Sequence, residues 1–162
     1  MCGRFAMTNS QEKVMNEFQI QVSEVSLESR YNISPSQDIP VIVQNDGLRR
    51  LEIRQWGLIP FWAKNPKPMI NARAETASEK PFFRQAFKKR RCLIPASGFF
   101  EWANDDEIKQ PYFICLKDKT PMAFAGLWDE WSAPDGNIVK TCTILTVEAN
   151  SYLQFIHHRM PV

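Results

Sequence analysis

Short runs in which apolar residues dominate or alternate with polar ones recur along the chain, and they predict a protein built mainly of strands. Alternation over about four to eight residues is typical of a half-buried strand, whereas the apolar positions of a helix recur about every three or four residues. Clusters of Gly, Pro, Asn and Asp, which favour turns, separate these runs. The strand-like runs cover residues 41–43, 51–58, 92–102, 111–116, 122–128 and 140–147.

The first two runs form the clearest hairpin, because Asn45-Asp46-Gly47 between them favours a tight turn. A chain of 162 residues fits a single domain, for which roughly 100–200 residues is usual. We therefore expect one α+β domain over residues 1–162. It should be mainly β, with a twisted, partly barrel-like sheet and a few short helices.

Helical signals are confined to short segments. A first helix is predicted over about residues 10–19, where Ser10 lies at the cap position and apolar residues recur four apart. A second is predicted over 78–91 with Ser78 as its cap, and its basic end suits the negative end of a helix dipole. A short third helix is predicted over 152–155.

Composition excludes some functional classes. Hydrophobic residues make up 44% of the chain and charged residues 23%, as is ordinary for a soluble globular protein. The formal charge of +2 is small, so any nucleic-acid surface has to be local. No run approaches the roughly 18 apolar residues of a membrane helix, and no signal peptide is recognisable. We expect a cytoplasmic protein that does not contact a membrane.

Cysteine usage sets Cys2 apart from the other three cysteines. Cys92, Cys115 and Cys142 lie in apolar, strand-like runs, so all three are predicted to be buried core thiols. No two cysteines form a C-x-x-C pair, and the chain's 2 histidines are adjacent, near its end. We therefore expect neither a metal site nor a cofactor.

Cys2 follows the initiator methionine directly. Removal of Met1, which a small second residue permits, would make Cys2 the N-terminus. It would then carry a thiol and an α-amine as a 1,2-aminothiol, a group that condenses with aldehydes. An α-amine has a pKa of roughly 7.7–8.0, so about a tenth of it is the free nucleophile at pH 7.

The segment 95–102 places a carboxylate among aromatic side chains. In a strand, Glu101 shares a face with Phe99, while Phe100 and Trp102 occupy the other face. Such surroundings raise the pKa of a carboxyl group towards the range that is useful for proton transfer at neutral pH. The alternative is an inward charge that blocks pairing at a sheet edge.

Polar candidates also lie in residues 69–75. An extended chain would place Asn71, Arg73 and Glu75 on one face, although an edge strand with a solvated face explains the same alternation. Upstream, Trp62 lies past a proline and before a polar loop, which makes it a candidate for an exposed stacking surface.

The end of the chain carries a further candidate pair. If residues 157–161 are extended, His157 and Arg159 share one face. A histidine beside an arginine suggests a general base or a phosphate contact. The basic residues 88–91 could also contact phosphate.

Five motifs together carry more information than any one of them. They are Met1-Cys2-Gly3-Arg4, Trp56-Gly57-Leu58-Ile59-Pro60, Asn71-Ala72-Arg73-Ala74-Glu75, Pro95-Ala96-Ser97-Gly98-Phe99-Phe100-Glu101-Trp102 and His157-x-Arg159-Met160-Pro161. In this order they strongly resemble the SOS response-associated peptidase family, the abasic-site processing proteins. The match runs from residue 2 to residue 161.

The resemblance implies a sensor of abasic sites in single-stranded DNA. Such a protein forms a covalent, reversible thiazolidine crosslink through Cys2 as part of the DNA damage response. By motif, Asn71 would hold the opened sugar, and Glu101 would transfer protons at the Cys2 amine. His157 would act as general acid and base for ring opening and for Schiff-base exchange.

The resemblance also implies how DNA is held. Arg4, Arg73 and Arg159 would bind the phosphates that flank the abasic site. Trp62 would support splayed bases, as in other single-strand binding sites. We expect a monomer whose partner is abasic single-stranded DNA, and which associates with the nucleoid when DNA is damaged.

Two other functions are compatible with these residues. In one, Cys2 is the N-terminal nucleophile of a self-processing cysteine peptidase, with Glu101 or His157 as its base. In the other, the chain is a non-catalytic single-stranded DNA-binding module. Binding alone needs neither a terminal aminothiol nor an inward glutamate, which argues against the module.

The chain departs from the family at its end. Family members usually continue for several tens of residues beyond the last motif, whereas this chain ends at Val162. We therefore expect a fragment or a short variant, with an exposed hydrophobic patch near this end.

Overall fold

The structure is a computed structural model that describes residues 2–64, 67–104 and 109–162. Met1, and Asn65 and Pro66 of the expected polar loop, lie outside the described residues. Within the described ranges the chain forms three short helices, α1 Gln11–Glu17, α2 Ala74–Ala77 and α3 Arg84–Lys89. The strands in the same ranges are β1 Phe5–Met7, β2 Val22–Ser23, β3 Arg30–Ile33, β4 Asp38–Asn45, β5 Leu48–Trp56, β6 Asn71–Arg73, β7 Arg91–Ala96, β8 Gly98–Asn104, β9 Lys109–Ile114, β10 Met122–Ser132, β11 Ile138–Glu148 and β12 Arg159–Pro161.

Five strands close into a barrel. Antiparallel pairing joins β11 to β10, β10 to β7, β7 to β4 and β4 to β5. The ring is completed by parallel pairing of β5 with β11, where Gln55 lies opposite Thr141 and Trp56 opposite Cys142. Closing a sheet on itself removes the free edges of the ring. The expected mainly-β, α+β fold with a barrel-like sheet is confirmed.

A second sheet holds the N-terminal strand. Its strands lie in the order β3, β1, β8, β9. The Phe100 N–H of β8 donates a hydrogen bond to the carbonyl of Arg4 at 2.8 Å. Because β1 and β8 are antiparallel, residues before Arg4 run beside residues after Phe100. The register therefore directs Cys2 towards Glu101.

Phe5 anchors β1 in the hydrophobic core. Its side chain is fully buried, and its ring meets Trp56 edge-on with the ring centroids 5.4 Å apart. A second edge-on contact joins it to Phe124 at 5.6 Å. Trp56 is itself buried and donates its Nε1–H to the carbonyl of Ile70 at 2.9 Å. The core thus connects β1, the barrel and the segment that leads into β6.

One end of β11 gathers two further elements. Thr146 lies opposite Arg73 of β6 and also opposite Pro161 of β12. Because a strand has two edges, β6 and β12 lie on opposite sides of β11. Asn71 begins β6, and His157 precedes β12 by two residues. These two candidate residues are thereby placed near the same end of one strand.

Two of the local predictions are confirmed. Helix α1 lies inside residues 10–19, and the Ser10 Oγ accepts a hydrogen bond from the Lys13 N–H. The hairpin of β4 and β5 turns at Asp46 and Gly47, whose φ angles are +50° and +77°. Positive φ at adjacent turn residues is what the Asp-Gly sequence favours.

Two helix predictions are wrong. The helix expected over 78–91 is reduced to α3, and Ser78 ends α2 instead of capping a new helix. Pro81 explains the difference, because a proline disfavours the helical conformation of the residue before it. Residues 152–155 form turns. There the Asn150 Oδ1 accepts hydrogen bonds from the Tyr152 and Leu153 N–H groups at 3.1 Å, as the cap of a helix would, but the chain continues in turns.

Solvent exposure corrects one prediction about the cysteines. Cys92 and Cys142 are buried as predicted, but Cys115 is exposed because it follows the end of β9. Near the end of the chain, Tyr152 and Phe155 are 82% and 69% exposed. Within the described residues, no helix is long and apolar enough to cross a membrane.

Replacing Phe5 with alanine tests the anchoring of β1. Large-to-small substitution of a buried phenylalanine costs about 3–5 kcal/mol, so Phe5→Ala should lower the free energy of unfolding by about that amount in urea denaturation. Tyr31→Ala on the neighbouring strand β3 is the control, because Tyr31 is 72% exposed and should change stability by less than about 0.5 kcal/mol. Equal effects of the two substitutions would contradict this packing.

Candidate active site

Cys2 lies buried beside the first residue of β6. Its side chain is 0% exposed, and its backbone carbonyl accepts a hydrogen bond from the Asn71 Nδ2 at 2.9 Å. The other polar atom of this amide, Asn71 Oδ1, is also buried and has no hydrogen-bond partner among the described residues. The structure therefore brings Asn71 to Cys2 and leaves an acceptor beside it.

Glu101 lies close to both Cys2 and His157. Burial raises the pKa of the Cys2 thiol to about 12, and the negative charge of Glu101 adds to the rise. The same charge opposes the lowering of the His157 pKa that burial causes. Charge effects weaken with distance, so both shifts agree with the register of β1 and β8, in which residues before Arg4 run beside residues after Phe100. Glu101 is 6% exposed and faces inward from β8.

The buried thiol has a chemical consequence. With a pKa of about 12, Cys2 is a neutral thiol at physiological pH. A thiolate is the stronger nucleophile, so reaction at this sulfur requires a nearby base. The Glu101 carboxylate is the neighbouring group that can accept a proton. The cluster contains a nucleophile and the base that it needs.

The backbone of Arg159 contacts the His157 ring. Nδ1 accepts a hydrogen bond from the Arg159 N–H at 2.9 Å and also lies 3.2 Å from the Arg159 carbonyl oxygen. The backbone N–H can only donate, so the shorter contact favours an unprotonated Nδ1, with the proton of the neutral ring on Nε2. Burial lowers the pKa of His157 below its usual 6.5, which keeps the ring neutral at pH 7. The neighbouring His158 stacks on it with the ring centroids 4.3 Å apart.

The side chain of Arg159 is buried in a network of its own. Its Nη1 and Nη2 donate to the two carboxylate oxygens of Glu75 at 2.7 and 2.9 Å. Nη2 also donates to the backbone carbonyl of Thr146 at 2.5 Å. Arg159 is only 7% exposed. Its phosphate contact stays a prediction, and the guanidinium would have to leave Glu75 to make one.

The other predicted DNA contacts lie on more accessible surfaces. Arg4 is half-buried and donates to the Asn32 Oδ1 at 3.0 Å, whereas Arg73 is exposed at the end of β6. Trp62 is 50% exposed, and its described ring contact is with Phe82 at 6.3 Å. The prediction that Trp62 is exposed is confirmed, while contact of these residues with DNA stays a prediction.

Sequence reasoning missed the part that Glu75 plays. Glu75 was grouped with Asn71 and Arg73 on one strand face, but α2 begins at Ala74 and turns the Glu75 carboxylate to Arg159. Opposite charges in two separate motifs were the available signal. Among the residues that the structure describes, no cluster of three or more His, Cys, Asp or Glu side chains could hold a metal ion.

The sequence profile of the SOS response associated peptidase (SRAP) family matches residues 1–162 of this chain. The chain belongs to the SRAP family. The resemblance carried by the five motifs is thereby confirmed. Four of the motifs supply the residues of this cluster, namely Cys2, Asn71, Glu101 and His157.

Several SRAP proteins are similar to the chain along its whole length. It is 45% identical over 168 aligned positions to the abasic site processing protein YoqW of Bacillus subtilis, covering 100% of this chain and 75% of that one. It is 32% identical to the abasic site processing protein YedK of Escherichia coli, covering 100% and 74%. A crystal structure from Bacteroides thetaiotaomicron superposes with a TM-score of 0.89 at 33% identity, covering 99% and 75%.

The pairing of Glu75 with Arg159 predicts a specific pH dependence of stability in this SRAP chain. The hydrogen bonds from Arg159 lower the pKa of Glu75 from 4.5 to about 2. A lowered pKa stabilises the fold fully above the unfolded value of 4.5, and this contribution is lost as the pH falls towards 2. Glu75→Gln should therefore be less stable than the native chain at pH 7, and the difference should shrink progressively below about pH 4.5.

Urea denaturation of both proteins between pH 7 and pH 3 measures this difference. Glu79→Gln is the matched control, because Glu79 follows the same helix and is exposed. It should show no comparable loss of stability at pH 7. If the difference in the free energy of unfolding between Glu75→Gln and the native chain stayed constant from pH 7 to pH 3, this result would contradict the ion pair.

Proposed function

We propose that this chain processes abasic sites in single-stranded DNA and forms a reversible covalent crosslink to them through Cys2. The observation that carries the proposal is the convergence of Cys2, Asn71, Glu101 and His157 in one cluster, in which Cys2 and Glu101 are buried and the other two are half-buried. The names of the SRAP relatives, which are abasic site processing proteins, point to the same substrate.

The proposed reaction joins an aldehyde to an aminothiol. An abasic deoxyribose opens to an aldehyde at C1′, and the α-amine of Cys2, free once Met1 is removed, adds to that carbon. Loss of one water gives a Schiff base. The Cys2 sulfur then adds to the same carbon while its proton passes to the nitrogen, which closes a thiazolidine. The overall change is aldehyde plus aminothiol giving thiazolidine plus water, and the reverse steps release the DNA.

The neighbouring side chains supply the proton transfers. The Glu101 carboxylate can accept a proton from the Cys2 ammonium, which frees the nucleophile. His157 is neutral with its proton on Nε2, so this N–H can donate a hydrogen bond to the ring oxygen and stabilise the negative charge that develops there as the sugar opens. The buried Asn71 Oδ1 can accept a hydrogen bond from a sugar hydroxyl while Nδ2 holds the Cys2 carbonyl.

DNA binding would use residues around this cluster. Arg4 follows Cys2 by two residues, and Arg73 follows Asn71 by two, so both cations lie next to the reacting groups. Phosphates on either side of an abasic sugar are their natural ligands. The exposed face of Trp62 offers a stacking surface for a base, and an unpaired strand exposes such bases.

A denaturing gel tests the covalent step. Processed protein incubated with single-stranded DNA that contains one abasic site should give a shifted band that resists heat. Cys2→Ala keeps the α-amine but lacks the sulfur, so its band should appear only when borohydride reduces the Schiff base. Cys115→Ala removes the exposed thiol and is the matched control, with a band like that of the native chain. No heat-resistant band with fully processed native protein would overturn the proposal.

The same assay separates the roles of the bases. Glu101→Gln and His157→Ala should slow formation or reversal by about 100-fold, within the range of general acid–base catalysis, and leave noncovalent binding in place. Loss of binding in either variant would refute its assigned role. Cleavage of an added peptide would favour the peptidase, and binding that survives Cys2→Ala without ever becoming covalent would favour the binding module.

A further inference from the structure

The pair formed by Glu75 and Arg159 has no part in the proposed chemistry, yet it joins two of the motifs. Glu75 is the second residue of α2, and its carboxylate contacts both Nη atoms of Arg159 at 2.7 and 2.9 Å. The guanidinium contacts a third element as well, through the carbonyl of Thr146 in β11. Two parallel hydrogen bonds between a guanidinium and a carboxylate fix the orientation of both groups.

The position of this pair makes it a clamp across β11. On one edge, β6 carries Asn71 and leads directly into Glu75. On the other edge, β12 begins at Arg159, two residues after His157. Both β6 and β12 are three residues long, so few main-chain hydrogen bonds hold either of them. A bidentate ion pair between the two edge segments fixes their relative position.

The backbone of Arg159 links the ion pair to the His157 ring. The Arg159 N–H donates to Nδ1 of His157 at 2.9 Å, while the Arg159 side chain is held by Glu75 and Thr146. A histidine hydrogen-bonded at one ring nitrogen has its proton placed at the other. If the Arg159 side chain were released, the first residue of β12 would lose its largest anchor, and Nδ1 of His157 would lose a fixed donor.

We propose that Glu75 and Arg159 are positioning residues that hold His157 in its Nε2-protonated form and fix it relative to Asn71. The chemical benefit rests on the proposed function, because the Nε2–H is the group that would hydrogen-bond to the sugar. The structural part, which is the tautomer and its dependence on the ion pair, does not depend on that function.

Nitrogen-15 spectroscopy of the histidine rings tests the structural part without DNA. The chain has 2 histidines, so comparison with His158→Gln assigns His157. In the native chain above pH 7, His157 should show an unprotonated Nδ1 and a protonated Nε2. Glu75→Gln should give averaged shifts from a mixture of both tautomers. Glu79→Gln, the matched control, should leave the native signature unchanged.

Crosslink kinetics test the chemical part. Glu75→Gln should slow reversal of the crosslink by about tenfold and change noncovalent binding by less than about twofold. Arg159→Lys keeps the charge but lacks the planar fork that binds Glu75 and Thr146 together, so it should slow reversal similarly. If the two residues act as one unit, the double variant should be no slower than either single variant. All rates are to be compared at a temperature at which circular dichroism shows each variant folded.

Three results would overturn the clamp. One is a His157 tautomer in Glu75→Gln that matches the native chain and the Glu79→Gln control. Another is fully additive rate losses in the double variant. The third is a weaker noncovalent affinity of Arg159→Lys, with a salt dependence reduced by about one phosphate contact and an unchanged His157 spectrum, since Arg159 would then bind phosphate.

The clamp and the proposed function fail in different ways. If the native chain formed no crosslink but Glu75→Gln still mixed the tautomers, the function would be wrong and the clamp would stand. If the crosslink formed and Glu75→Gln behaved like the native chain in spectrum and rate, the function would stand and the clamp would be wrong.

Discussion

Burial of Phe5 between Trp56 and Phe124 is the contact on which the candidate site depends. It fixes the three-residue strand β1 against the barrel, and β1 in turn pairs with β8. Only with that pairing does the N-terminus run beside Glu101. The first residues of most chains are mobile. Here core packing orders β1 and places the buried Cys2 beside Asn71.

Burial also sets the chemistry of the cluster. Because the Cys2 thiol is removed from water and lies near a carboxylate, its pKa rises to about 12, and it stays protonated at neutral pH. That is the opposite of the usual activated cysteine, whose surroundings lower the pKa. It fits a sulfur that acts only after the amine has reacted and that passes its proton on to the nitrogen, with Glu101 as the neighbouring base. The same low exposure would protect the thiol from oxidants and alkylating agents between encounters with DNA.

Much of this architecture was predictable because it is local. The alternating runs predicted the barrel strands, and the Asp46-Gly47 turn predicted the hairpin of β4 and β5. The motifs named Cys2, Asn71, Glu101 and His157 as candidates, and the structure brings all four together. Their positions were not predictable, because they depend on pairings between distant parts of the chain. No local sequence pattern predicts that β1 pairs with β8, or that β6 and β12 pair with β11.

One failure has a physical cause that can be named. Pro81 shortened a helix that the aromatic pattern favoured. The phosphate contact of Arg159 stays a prediction, and the structure adds a contact that was not expected, between its buried guanidinium and the half-exposed carboxylate of Glu75. Charge alone does not reveal whether an arginine faces a ligand or a carboxylate of its own chain.

The central claim is that the Cys2 aminothiol forms the bond to the abasic sugar, and mass spectrometry of the crosslink tests it most directly. After nuclease digestion of the DNA and cleavage at glutamate, the N-terminal peptide should begin at Cys2 and end at Glu12. Its mass should equal that of the peptide plus the attached sugar fragment less one water, and borohydride should not change it, because a closed thiazolidine contains no imine. An adduct on another residue, or on a peptide that retains Met1, would contradict the account.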